Sequence, residues 1–205
     1  QHIIFDWNGT LINDTWVFVE VLNVLLTTRK LPKINLDNYR KKFIMPIKRF
    51  YKSLGIDISI LSYEALELEF IIEYKKRMFL PCLFEDTVRV LKSLTDDGKK
   101  LSILSASNQN VLSDLTSFYQ IDNYFNHIVG VKNFGAKGKL KEGRKLINNL
   151  DFNKCNTLLI GDTDSDYLLA KKLGIDSIIC TDGHQSYERL QGLNTHIISK
   201  LKELI

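Results

Sequence analysis

The sequence predicts an α/β fold: a parallel sheet with helices on both faces, and a separate helical unit inserted after the first strand. Three observations carry this. Short apolar runs recur along the chain, each closing on a polar residue: HIIFD, KLSILS, HIVGV, TLLIGD and SIICTDG. Most are separated by segments of helical periodicity, the alternation that builds a parallel sheet covered on both sides. Between residues 15 and 80 that rhythm fails and only helical patterns occur. A chain of 205 residues is long enough for such a domain with an insert.

The elements follow in order. HIIF is the first strand. DTWVFVEVLNVLLTTRKLP opens on a capping Asp or Thr and closes before Pro32, as the first helix of the insert. LDNYRKKFIM and IKRFYKSLG read as two short helices separated by Pro46. SYEALELEFIIEYKKRMFLP reads as a long helix with Leu66, Phe70, Tyr74 and Met78 at i, i+4 spacing, stopped by Pro81. The alternation resumes at CLFEDTVRVLKSLTDDGKKLSILS. The next helix starts near Asn108 and places Val111, Leu112, Leu115 and Phe118 on one face. Another starts within residues 139–142, with Leu146, Ile147 and Leu150 apolar. A third follows GDTDSD, carries Leu168, Leu169 and Leu173, and ends at Gly174. The expected organisation is a doubly wound, Rossmann-like core from residues 1–14 and 81–205, with an all-helical cap at 15–80.

Composition narrows the function classes. The net charge is +4 and the pI near 8.8, with lysines and arginines in short pairs and no interleaved aromatics. No nucleic-acid partner is expected, whereas a small phosphorylated metabolite suits the mild positive balance. Cys82, Cys155 and Cys180 are odd in number and lack metal-type spacing, which reads as reduced thiols in a cytoplasmic protein. The longest apolar stretch, WVFVEVLNVLL, is interrupted by Glu20 and Asn23, so no membrane span is expected. No signal-peptide pattern is visible, although the chain starts at Gln1 rather than at a methionine.

In open parallel sheets ligands bind beyond the carboxyl ends of the strands. The polar residues closing the apolar runs include Asp6, Ser105 and Asp162. Helix capping accounts for any one of them alone. Two carboxylates at adjacent strand ends repel, however, and a divalent cation resolves the repulsion. Mg²⁺ takes one or two carboxylates together with water and a substrate phosphate. Asp166 lies one helical turn beyond Asp162, within reach of the same ion directly or through water, while Asp164 is expected to face solvent. GDTDSD lacks the glycine and the distant glutamate of a calcium loop. Ser105 can donate to a phosphate oxygen or cap a helix, and the N–H groups near Ala106 and Ser107 precede a helix start that favours anions. GAKGKLKEG sets Lys137, Lys139 and Lys141 at a helix start, where the dipole disfavours cations, and so points to an anionic partner.

Together these residues resemble the haloacid dehalogenase superfamily across essentially the whole chain. Asp6-Trp7-Asn8-Gly9-Thr10 matches its first motif, Ser105 its second, a lysine of AKGK its third, and GDTDSD its fourth. The lysine is assigned to Lys139, with Lys137 as the alternative. The insert is similar to the cap of phosphoglycolate-phosphatase-like members. The resemblance implies Mg²⁺-dependent phosphatase activity on a small phosphorylated metabolite through an aspartyl phosphate on Asp6. It implies a metal held by the Asp6 carboxylate, the Asn8 backbone carbonyl and Asp162, with Asp166 outside them. Gly9, Thr10, Ser105, Ala106 and Lys139 or Lys137 are implied at the phosphoryl oxygens, and Asp6, Asn8, Ser105 and Lys139 as the catalytic set.

Asn8 departs from the pattern. Family phosphatases usually carry an aspartate there, which protonates the leaving alcohol and then activates water, and an amide does neither. Such help is worth about 10²–10⁴-fold, so slow turnover is expected, least severe for acidic leaving groups. Asp14 substitutes through a water or caps the first insert helix. A large gain from Asn8→Asp would locate the deficit, and equal rates would mean that another group does the work. Two other readings stay open: a dehalogenase, whose nucleophile needs no second aspartate, and a catalytically weak phosphate-ligand-binding or regulatory protein. Within the insert, Arg40, Lys42, Lys48, Arg49 and Tyr51 are the candidates to face an anionic substrate.

Overall fold

A computed structural model describes residues 1–58, 62–132, 138–150 and 154–205. Among them the strands are β1 (His2–Phe5), β2 (Ile12–Asn13), β3 (Cys82–Leu83), β4 (Lys100–Asn108), β5 (His127–Val131), β6 (Thr157–Gly161), β7 (Asp176–Cys180) and β8 (His196–Ile198). The helices are α1 (Thr15–Thr28), α2 (Leu36–Lys42), α3 (Ile47–Ser53), α4 (Tyr63–Lys75), α5 (Thr87–Asp96), α6 (Gln109–Phe118), α7 (Leu140–Asn148), α8 (Asp164–Leu173) and α9 (Tyr187–Leu190). All five apolar runs form strands. Six strands pair in parallel in the order β5-β4-β1-β6-β7-β8, while β2 and β3 form a small antiparallel ribbon where the chain enters and leaves the insert. The ribbon and β8 had no clear signal, because each is only two or three residues long.

The chain fills the sheet outward from β1 to β5, then crosses back and fills the other side from β6 to β8. The reversal occurs beside β1, the place where open α/β sheets leave a crevice. Side chains alternate across it. Ile3, Phe5, Leu101, Ile103 and Ile160 pack with Leu91 and Leu94 of α5 and Leu112 and Leu115 of α6. Ile4, Leu104 and Leu159 pack on the opposite face with Leu146 of α7 and Leu169 and Leu173 of α8. With both faces covered, the strands must be apolar at nearly every position, which is why they read as continuous runs.

Helices α1 to α4 close around a core of their own, in which Val17, Leu22, Leu25, Leu26, Tyr39, Phe50 and Leu66 are buried. The long helix differs from expectation. It ends at Lys75, and the Arg77 guanidinium turns back onto the Glu73 carbonyl, satisfying a carbonyl freed at the helix end. Met78 therefore leaves the helix and packs on the sheet core. Phe118 and Leu168, both expected on apolar faces, are about half exposed. Phe118 lies against Phe79, with ring centroids 4.9 Å apart, and Leu168 lines the main cavity. Among the described residues no helix is long and apolar enough to cross a membrane.

Candidate active site

The site is assembled by register. Phe5 on β1 pairs with Ile160 on β6, and the Asp6 N–H continues the ladder to the Ile160 carbonyl at 2.8 Å. Asp6 and Asp162 thus leave neighbouring strand ends side by side. Asp166 joins them from the first turn of α8, and one ligand oxygen from each of the three carboxylates lies within 4.8 Å of the others. Capping explains half of the Asp166 position: one oxygen accepts from the Thr163 N–H at 3.2 Å and the Thr163 hydroxyl at 2.7 Å. The other oxygen is 2.9 Å from Lys139 Nζ, which is also 2.6 Å from Asp6. Asp162 accepts from the His184 N–H at 2.6 Å and from the Thr10 hydroxyl at 3.4 Å. Gly9, at φ +68°, lets the chain pass this carboxylate, since a Cβ there would collide with both Asp162 and the His184 ring.

Three buried or nearly buried carboxylates against one ammonium leave an excess of negative charge. Burial pushes the Asp6 carboxyl up to about 6, opposed by Lys139 and reinforced by Asp166. Burial likewise pushes Asp162 up to about 7, against the pull of His184. Burial disfavours the Lys139 charge, yet the Asp166 and Asp6 carboxylates outweigh it and hold its pKa above the ordinary value. A cluster of hard oxygen donors with unbalanced charge fits a small divalent cation rather than a soft metal.

Asn8 sits in a polar clamp. Its amide nitrogen donates to Asp14 at 2.5 Å, and its amide oxygen accepts from the Ser107 hydroxyl at 2.8 Å. A carboxylate only accepts, so the amide is held in one orientation. Asp14 is fully buried, also accepts from the Gly9 N–H at 3.0 Å, and makes no side-chain capping bond to α1. His184 Nε2 is 3.5 Å from Asp14, and its Nδ1 is 2.8 Å from the Tyr39 hydroxyl of α2. Burial works against charge on this imidazole, but Asp14 and Asp162 raise its pKa above the usual value.

The loop after β7 ties the helical insert to the sheet. Arg40 donates to the Asp182 carbonyl at 2.5 Å, Gln185 to the Phe43 carbonyl at 3.0 Å, and the Ser186 N–H to the Arg40 carbonyl at 3.2 Å. Asp164 does not face open solvent as expected. Its carboxylate accepts from Gln185 at 2.9 Å, because the 182–189 loop folds over the start of α8. His184 and Gln185 were missed as site residues, and Asp14 and the Ser107 hydroxyl were not expected to hold Asn8. The signal for His184 and Gln185 was the polar run DGHQS after an apolar strand, of the same form as the GDTDSD run.

A sequence model of the haloacid dehalogenase-like hydrolases matches residues 3–180. The chain belongs to this family. A phosphoglycolate phosphatase of Caulobacter vibrioides is 24% identical over 190 residues, which cover 89% of this chain and 79% of that protein. A haloacid dehalogenase-like family protein of Streptococcus pneumoniae superposes with a TM-score of 0.84 at 20% identity, covering 99% of this chain and 95% of the other. A structure described as a predicted phosphatase of Clostridium acetobutylicum gives 0.82 at 23%, covering 100% and 95%.

In this haloacid dehalogenase-like hydrolase, Asp6, Asn8, Ala106, Lys139, Asp162 and Asp166 line one cavity of about 570 Å³. Ser105 is buried at its edge, its hydroxyl accepting from the Ser107 N–H at 3.0 Å. Gly9 and Thr10 line a second cavity instead, with Arg40 and Asp182. Lys137 lies outside the described residues, and Lys141 is exposed. Of the basic insert candidates, Arg40 is bound to the loop, Lys42, Lys48 and Arg49 are exposed, and Lys48 sits over the Tyr63 ring at 4.4 Å. Tyr51 lines the main cavity.

Proposed function

We propose that this hydrolase is a Mg²⁺-dependent phosphomonoesterase with Asp6 as nucleophile, acting on a small phosphorylated metabolite. The observation that carries this is the convergence of Asp6, Asp162 and Asp166 around one buried lysine at the sheet's switch point. Asp6, Asp162 and the Asn8 backbone carbonyl would hold Mg²⁺, with Asp166 next to them. The ion supplies charge neutralisation for the phosphoryl oxygens. Asp6 attacks phosphorus through one carboxylate oxygen, the bond to the leaving oxygen breaks, and water later cleaves the acyl phosphate. Lys139 offsets the repulsion between an anionic nucleophile and an anionic substrate. Ser105 and the N–H groups near Ala106 orient the phosphoryl group. The helices at 15–80 act as a cap that keeps water from the site.

Asn8 has no proton to give, so alkoxide leaving groups depend on solvent and acidic ones do not. A neutral residue at this position is compatible with Asp14 beside it, and Asn8 serves as the strut that joins Asp14 to Ser107. The test is phosphate release from an activated aryl phosphate with Mg²⁺ and with chelator. Release that requires Mg²⁺ and stops in Asp6→Asn is the expected result. Metal-independent halide release from haloacids would favour the dehalogenase reading, and ligand-induced stabilisation without turnover would favour a binding protein.

A further inference from the structure

The cavity above Asp6 reports on the part of the substrate that is not phosphate. Its floor is polar and holds Asp6, Asn8, Lys139 and Asp162. Its walls are different. Phe18, Phe43, Tyr51, Tyr63, Phe70 and Tyr74, all from the helical insert, line it. Several of these rings already pack against one another: Phe18 lies 5.4 Å from both Phe70 and Tyr74, which are 6.3 Å apart. Spacings of this kind suit offset or edge-on contact with one more ring. Ile47, Ile71, Val111 and Leu168 are among the other apolar residues of the lining.

The volume agrees with the lining. About 570 Å³ falls in the range of roughly 300–1,000 Å³ that accommodates drug-sized ligands. A two-carbon leaving group would leave most of that space unfilled and the apolar walls uncovered. A carboxylated leaving group would also need a cation deep in the pocket. Arg40 of the insert is instead turned to the Asp182 carbonyl and lines the other cavity. Among the described residues, the basic groups besides Lys139 that line the main cavity are Lys75 and Lys172, both exposed, and His184, whose ring nitrogens face the Tyr39 hydroxyl and Asp14.

We infer that the substrate is a phosphomonoester whose leaving alcohol carries an aromatic ring, held among the rings of the insert. This rests on the phosphatase reading of the same site and deepens it. The phosphoryl group would sit on the polar floor, and the ring would lie in the cavity against the wall formed by Phe18, Phe43 and Phe70.

The experiment separates ring recognition from leaving-group acidity, which Asn8 makes important. Ethyl phosphate and 2-phenylethyl phosphate release alcohols of similar acidity, so their kcat/KM values with Mg²⁺ can be compared directly, beside phosphoglycolate. Burial of a ring of this size should favour 2-phenylethyl phosphate by about 10- to 100-fold. Leu168→Asp, at a half-exposed position on the cavity wall, should shrink that ratio several-fold without unfolding the protein. A ratio near one, or phosphoglycolate as the best of the three, overturns the inference while leaving the phosphatase reading intact. If even an activated aryl phosphate is not hydrolysed, the phosphatase reading fails. Thermal stabilisation by 2-phenylethylphosphonate against ethylphosphonate then decides the ring preference on its own, and equal stabilisation overturns it.

Discussion

Replacing Lys139 with methionine should lower kcat for an activated aryl phosphate by at least about 10²–10³-fold and destabilise the chelator-treated protein by about 3 kcal/mol. The reason is the double ion pair: one ammonium stands 2.6 Å from Asp6 and 2.9 Å from Asp166, and little water reaches it. Removing it leaves buried carboxylates facing one another. The pH dependence has a definite sign. Asp6 and Asp162 already have folded pKa values near 6 and 7 against an ordinary 3.8, and loss of the lysine raises that of Asp6 further. A carboxyl whose pKa is higher in the folded than in the unfolded state takes up a proton more readily when folded. That contribution to stability is complete below the unfolded value and is lost as pH rises through the folded one. Acidification from pH 7 toward 4 should therefore recover part of the stability of Lys139→Met. Added Mg²⁺ should recover part of it at neutral pH by mass action. Urea titrations at several pH values measure both effects. A variant equal to wild type in stability and rate would remove the lysine from the site.

The second large effect concerns Asn8, where the structure changes the meaning of the obvious mutation. From sequence, Asn8→Asp looks like a repair. In the fold it sets a second carboxylate 2.5 Å from Asp14, which is fully buried. The charge-assisted hydrogen bond is lost and repulsion replaces it, a cost of about 2–4 kcal/mol. The single variant should be less stable than wild type and slower by tenfold or more, because the strand-end loop carrying Asp6 must shift. The exchange Asn8→Asp with Asp14→Asn keeps a donor facing an acceptor and leaves the Ser107 hydroxyl a partner. It should regain the lost stability and hydrolyse alkyl phosphates faster than wild type, toward the 10²-fold or more that general acid catalysis supplies. Thermal melts and kcat for ethyl phosphate in the four proteins of this cycle measure the coupling. A stable and faster single variant would show that Asp14 does not dictate the residue at position 8.

How much of this was legible in the sequence depended on local signals. HIIFD and TLLIGD announce themselves because a strand buried on both faces must be apolar throughout and must end on the polar residue that meets the ligand crevice. Asp6, Asp162 and Asp166 therefore lie together as their positions suggested, and Lys139, chosen over Lys137 by the family resemblance, lies with them. The contacts of Asp14 and Ser107 with Asn8 were not foreseen, because Asn8 is set against them only by the turn at Gly9 and the strand register. The role of the 182–189 loop was hidden for the same reason: its bonds end on backbone carbonyls, of Asp182 for the Arg40 donor and of Arg40 and Phe43 for the Ser186 N–H and Gln185, and a carbonyl has no sequence signature. The end of α4 at Lys75 was missed because Arg77 can terminate a helix without any breaker residue. Of the cavity's aromatic wall, Phe70 and Tyr74 showed only the spacing of a helix face, and Tyr51 alone was read as a residue that could face the substrate.

The most direct test of the account is to catch the covalent state. The wild-type protein is mixed with an activated aryl phosphate and Mg²⁺, quenched during turnover, reduced with borohydride and digested for peptide mass spectrometry. Acyl phosphate on an aspartate is reduced to homoserine, so the account predicts homoserine at position 6, present with Mg²⁺ and lost with chelator. Homoserine at Asp14 or Asp162 instead, or unmodified Asp6 during measured phosphate release, would contradict it.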